Sequence, residues 1–136
     1  PVRAAYEDAA FPVQVVEYVQ GMADAYRDAD FVVARSGAGT VSEVAAIGIP
    51  ALFVPFAAAA DNHQVANARP LVERGAAFLI EEASFDEAAV AARIAGALAD
   101  PSMLTAMASA SRAWSARDAL DRMTAEIEAL GAATEG

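Results

Sequence analysis

Read only as apolar and polar positions, the chain alternates short, almost wholly apolar runs with stretches of helical spacing. Residues 31–34, 51–55 and 76–80 are apolar runs bounded by Asp, Pro or Gly, and 12–18 (PVQVVEY) places Val at 13, 15 and 16. Four strands are therefore expected, and 31–34 is read as buried on both faces because no polar position interrupts it. Helical patterns fill the intervals at 23–29, 40–47 and 63–69. Asp61 is the expected cap of the last of these, and Pro70 is expected to open a second helical piece ending near Arg74 and Gly75. Ser84 is expected to cap a helix over 85–99, and Asp100-Pro101 to separate it from a final helical region over about 103–130. Residues 1–10 read as the tail of an element. This order predicts an α/β fold, one doubly wound parallel sheet in a single domain over 1–136. Leu104, Met107, Trp114, Leu120, Met123, Ile127 and Leu130 form an apolar stripe longer than so small a sheet covers, so part of it is expected to pack elsewhere.

The densest chemistry lies at 34–50, ARSGAGTVSEVAAIGIP. An apolar strand runs into a small-residue turn, Ser36-Gly37-Ala38-Gly39, then into a helix expected to begin at Thr40 and to close at Gly48 and Pro50. Such a junction sets unpartnered backbone N–H groups and the positive end of a helix dipole beside the carboxyl end of a parallel strand, a common phosphate site. Glu43 lies about a turn further on. Spacing alone supports two readings of it: an acceptor for a pair of sugar hydroxyls, or the far end of a Thr40-Val-Ser-Glu43 capping box.

Charge narrows the partners. The net charge of −10, with nine basic residues that are all Arg, argues against nonspecific nucleic-acid binding, while a diphosphate remains compatible through helix N-termini and local Arg. With no Cys and one His, disulfides and thiol nucleophiles are excluded and a His/Cys metal site is not expected. No apolar run approaches the roughly 20 residues of a membrane helix. The opening Pro1-Val-Arg3 does not resemble a secretory signal, so the cytoplasm is the expected compartment.

In a parallel sheet the loops after the strands gather on one rim, so 19–22, 36–43 and 56–67 are expected to converge. Gln64 and Asn67, three apart, share a helix face and could read neighbouring sugar hydroxyls; a solvated helix start is the plain alternative. His63, in a first helical turn where a proton is disfavoured, reads as a ligand contact or a surface group rather than a base. Arg35 suits a phosphate or a carboxylate equally. Trp114 reads as packing.

The segment 34–43, the run 50–56, and 61–68 (DNHQVANA) followed by Gly75-Ala-Ala77 resemble the carboxyl-terminal half of the MurG family, with three motifs in order and matching spacing over about 13–130. The resemblance implies transfer of GlcNAc from UDP-GlcNAc to lipid-linked MurNAc-pentapeptide, the second lipid intermediate of peptidoglycan, on one Rossmann-like half of a GT-B glycosyltransferase. It implies that Val19 contacts uracil through its backbone with Met22 lining the same pocket, and that Glu43 accepts the ribose hydroxyls. Ala38, Gly39 and Thr40 fall on the loop at the diphosphate and sugar, with Ser36 also expected among the substrate-binding residues, and Gln64 and Asn67, with His63 beside them, fall near the GlcNAc hydroxyls. No metal and no cofactor beyond the UDP-GlcNAc donor is implied.

The family's donor domain opens with a strand and a GGSxGA-type loop that this chain lacks. The acceptor domain, which holds the presumed base, the lipid I site and the membrane patch, is also missing. The chain is therefore expected to be part of a larger peripheral enzyme on the inner face of the bacterial plasma membrane, binding donor weakly and transferring nothing alone. Two further readings are a donor-binding subunit that pairs with a separate membrane-anchored chain, as in the two-chain eukaryotic GlcNAc transferases, and a related GT-B enzyme using another UDP- or dTDP-sugar.

Overall fold

The computed structural model describes residues 2–56 and 62–115. Its framework is a three-stranded parallel sheet, β1 (Val32–Ala34), β2 (Ala51–Phe53) and β3 (Ala77–Leu79), in that order, with Val32 opposite Ala51 and Ala51 opposite Ala77. Helices α1 (Val2–Ala5) and α2 (Met22–Asp28) precede it. The crossovers are α3 (Ala38–Ile47) between β1 and β2 and α4 (His63–Glu73) between β2 and β3. After a 3-10 turn at Glu82–Ser84 come α5 (Glu87–Leu98) and α6 (Pro101–Trp114).

The core is set by strand alternation. Val32, Ala51, Phe53, Ala77 and Leu79 point to the face covered by Val41, Val44 and Ala45 of α3 and Ala68 and Leu71 of α4, and Trp114 packs against this cluster from α6. Burying a side chain such as Phe53 or Leu71 stabilises the fold by about 1.5–3 kcal/mol. On the opposite face lie Phe31, Leu52 and Phe78; the Phe31 and Phe78 rings are 6.4 Å apart, and Arg93 of α5 sits 5.0 Å over Phe78. Helices on both faces match the doubly wound expectation.

Several expectations are corrected. Residues 12–18 form no strand: they pair with no neighbour, Val13 is 39% and Val16 48% exposed, and Val apolarity alone does not make a strand without a ladder to join. The stretch 31–34 is not buried on both faces, because β1 is an outer strand and Val33 is 52% exposed. Pro70 does not start a second helical piece; α4 runs through it. The burial of Ala68 and Leu71 on either side of Pro70 holds the helix together despite the amide that proline lacks. Asp86, not Ser84, caps α5, its carboxylate accepting from Ala89 N at 2.8 Å, while Ser84 ends the 3-10 turn. Asp100 caps α6 through the Ser102 and Met103 amides. The Asp61 cap, the loop at 57–61 and the helical pattern beyond 115 lie outside the described residues.

Candidate functional site

The loop after β1 turns directly into α3, which begins at Ala38 rather than at Thr40, with Gly37 as N-cap and no side-chain cap. Thr40 is therefore the third helical residue and Glu43 the sixth. That geometry removes the capping-box reading, since Glu43 is too far along the helix to reach back to its start. It also leaves the amides of Ala38, Gly39 and Thr40 as first-turn donors without intrahelical acceptors, at the positive end of a ten-residue helix. Ala38 and Gly39 are not buried, and a Cβ at Gly39 would meet nothing, so the approach to these amides is open.

Glu43 is exposed and lines a cavity of about 340 Å³ with Met22, Ala23, Tyr26, Ala46 and Ile47, between α2 and α3. The walls are apolar apart from that carboxylate and the nearby Tyr26 hydroxyl. Burial, then the Glu43 charge and its pull on the hydroxyl proton, push the Tyr26 phenol above its ordinary value, because its ionised form would be both desolvated and set beside an anion. Val19 is half-buried in irregular chain before α2 and is not among the walls of this cavity.

The second half of the site is at the start of α4. The Phe56 backbone N–H donates to Gln64 Oε1 at 2.9 Å, and Asn67 Nδ2 donates to the Ser36 carbonyl at 3.1 Å. Each backbone partner dictates which end of the amide faces it. Gln64 is left with its amino group to offer, and Asn67 with its carbonyl oxygen and one N–H. One donor and one acceptor on neighbouring turns suit a sugar hydroxyl, which accepts from the first while donating to the second. Gln64 also lines a smaller cavity, about 110 Å³, with Pro55, Phe56, Asn62, Glu81 and Glu82. His63 is exposed at the first position of α4.

Not every candidate reaches this rim with its side chain. Ser36 is fully buried and its Oγ has no partner, so its contribution is the carbonyl that holds Asn67. Arg35 takes the carboxylate option: Nη2 lies 2.6 Å from Glu82 Oε1, while Nη1 donates to the carbonyls of Val54 (3.2 Å) and Pro55 (3.0 Å). Tyr26 and Arg35 are the members that sequence reasoning missed or left undecided. Tyr26 is four residues after Met22, on the same face of α2, a spacing that could have drawn attention to it.

A parallel sheet with helices on both faces, carrying a carboxylate in an apolar cleft and free amides at a helix start, defines a Rossmann-like half of the GT-B glycosyltransferase fold. The chain belongs to the glycosyltransferase family 28 C-terminal domain family, whose model matches residues 2–123. Its sequence is 41% identical over 128 residues to a Geobacter sulfurreducens UDP-N-acetylglucosamine--N-acetylmuramyl-(pentapeptide) pyrophosphoryl-undecaprenol N-acetylglucosamine transferase, covering 94% of this chain and 35% of that protein. To the Serratia proteamaculans protein of the same name it is 50% identical over 114 residues, covering 84% and 31%. The crystal structure of Acinetobacter baumannii MurG superposes with a TM-score of 0.82 at 35% identity, covering 93% of this chain and 37% of that one. The chain thus spans about a third of the length of the relatives it matches. Among the described residues no helix is long and apolar enough to cross a membrane, and no group of His, Cys, Asp and Glu could hold a metal ion.

Proposed function

We propose that this chain is the UDP-GlcNAc-binding part of an inverting transferase that adds GlcNAc to lipid-linked MurNAc-pentapeptide. Three observations carry the reading: the cavity that Met22 and Glu43 share, the uncovered first-turn amides of α3, and the Asn67 bond to Ser36 that ties α4 to the loop opening α3. The uridine occupies the apolar cleft, with its ribose hydroxyls donating to Glu43. Val19, half-buried just before α2, offers its backbone to the uracil edge. The diphosphate meets the Ala38, Gly39 and Thr40 amides, and the sugar is read by Gln64 and Asn67, with His63 at its margin.

In the displacement, the acceptor hydroxyl attacks the anomeric carbon as the bond to the diphosphate breaks. Charge then grows on the departing UDP, where the α3 amides and dipole already point; a donor placed this way is worth on the order of 10²-fold in rate. The lipid acceptor, the base and the contact with the cytoplasmic face of the membrane belong to the remaining two-thirds of the longer protein.

Calorimetric titration with UDP-GlcNAc, UDP-glucose, UDP-galactose and UDP tests this reading. Binding is expected for all four, tightest for UDP-GlcNAc and weakened by Glu43→Ala. Equal affinity for the three sugars would remove the GlcNAc assignment, and UDP binding indifferent to Glu43→Ala would remove the uridine site.

A further inference from the structure

Arg35 lies directly after β1, yet its guanidinium reaches the segments beyond both other strands. It grips the Val54 and Pro55 carbonyls after β2 and the Glu82 carboxylate after β3, and its Cζ sits 5.4 Å over the Phe56 ring. As a stability device this is modest: the Arg35 and Glu82 side chains are 49% and 37% exposed, and exposed ion pairs contribute little. What matters is which groups it holds. The Pro55 carbonyl and the Phe56 N–H belong to one planar peptide unit, with oxygen and hydrogen on opposite sides. Arg35 takes the oxygen at 3.0 Å, and Gln64 Oε1 takes the hydrogen, with N···O 2.9 Å. Fixing one end of that plane fixes the other, and a cation on the carbonyl polarises the N–H toward its acceptor. The next residue, Ser36, holds Asn67 through its own carbonyl.

We infer that Arg35 is a positioning residue for the sugar end of the donor site, setting the direction of the Pro55–Phe56 peptide and through it the face that Gln64 shows to the ligand. It rests on the donor-site reading above and deepens it: nucleotide recognition lies in the α2–α3 cleft, away from this peptide, so loss of Arg35 acts on the sugar and not on the nucleotide. A residue that merely stabilised the fold would weaken both alike.

The test compares affinities of the full chain for UDP-GlcNAc and for UDP, by calorimetry, in Arg35→Met, Arg35→Lys and Gln64→Ala. Arg35→Met is expected to weaken UDP-GlcNAc roughly 5- to 10-fold, the scale of one lost hydrogen bond between neutral groups, while UDP stays within about twofold. Arg35→Lys, which keeps the charge but not the fork, is expected to recover part of the loss. The double variant Arg35→Met with Gln64→Ala is expected to be no weaker than Gln64→Ala alone. Equal losses for both ligands, or no loss, overturn the inference. If Arg35→Met does not fold, Glu82→Gln, which loosens the guanidinium without removing it, is expected to show a smaller loss in the same direction, and no loss overturns the inference. If Gln64→Ala itself leaves the preference for UDP-GlcNAc over UDP unchanged, the sugar-end reading falls and this inference with it. A loss in Gln64→Ala but not in Arg35→Met removes the Arg35 role alone.

Discussion

The Asn67 side-chain amide donates to the Ser36 carbonyl at 3.1 Å, across 31 residues of sequence, and so ties the start of α4 to the loop that opens α3. One amide thereby joins the two halves of the site. Replacing it with a carboxylate sets an acceptor against an acceptor. Asn67→Asp is expected to lower stability by about 1–3 kcal/mol, read from the urea midpoint, the cost of leaving a part-buried carbonyl unmatched.

In the proposed donor site, Glu43 is the group assigned to the ribose of the uridine. Glu43→Ala is expected to weaken UDP binding by roughly 1–3 kcal/mol through the lost ribose bonds, with little change in melting temperature because the side chain is exposed. A stability loss with unchanged affinity would return Glu43 to a structural role.

The Tyr26 phenol titrates higher in the folded chain than in the unfolded one, where its value is about 10. The neutral form is the one the fold favours. Its contribution is therefore fully present below about pH 10 and is lost as pH rises through the raised folded value. Urea denaturation between about pH 8 and pH 11 is expected to show a steeper alkaline decline for the parent chain than for Tyr26→Phe.

Gly48 ends α3 with a φ of 82°, and Arg112 of α6 crosses it so closely that an added Cβ would strike the Arg112 side chain. Gly48→Ala is expected to cost about 1–2 kcal/mol from the left-handed conformation alone. Thermal melting measures it, with UDP affinity as a control expected to hold.

Leu71 is fully buried and anchors α4 to the sheet. Leu71→Ala is expected to cost about 2–5 kcal/mol in chemical denaturation, according to how far the cavity collapses.

Much of this was readable from residue order. Apolar runs separated by helical spacing determined an α/β chain with a parallel sheet, since the strands of such a sheet are continuously apolar. The turn of small residues before α3 determined that the first backbone amides of that helix would be left uncovered, because Gly and Ala put little bulk over them. The motif resemblance likewise pointed to the family that the comparisons show. Tertiary structure decided the rest. Val13, Val15 and Val16 have strand chemistry, but a strand exists only with a partner to accept its hydrogen bonds, and sequence does not name the partner. Pro70 reads as a helix start until the burial of Ala68 and Leu71 outweighs its missing amide. Thr40 and Glu43 fit a capping box until the helix begins two residues earlier, at Ala38. The link from Arg35 through one peptide plane to Gln64 joins residues 20 and 8 apart. Only the folded chain shows it, because local spacing carries no information about which carbonyl a long, flexible cation will meet.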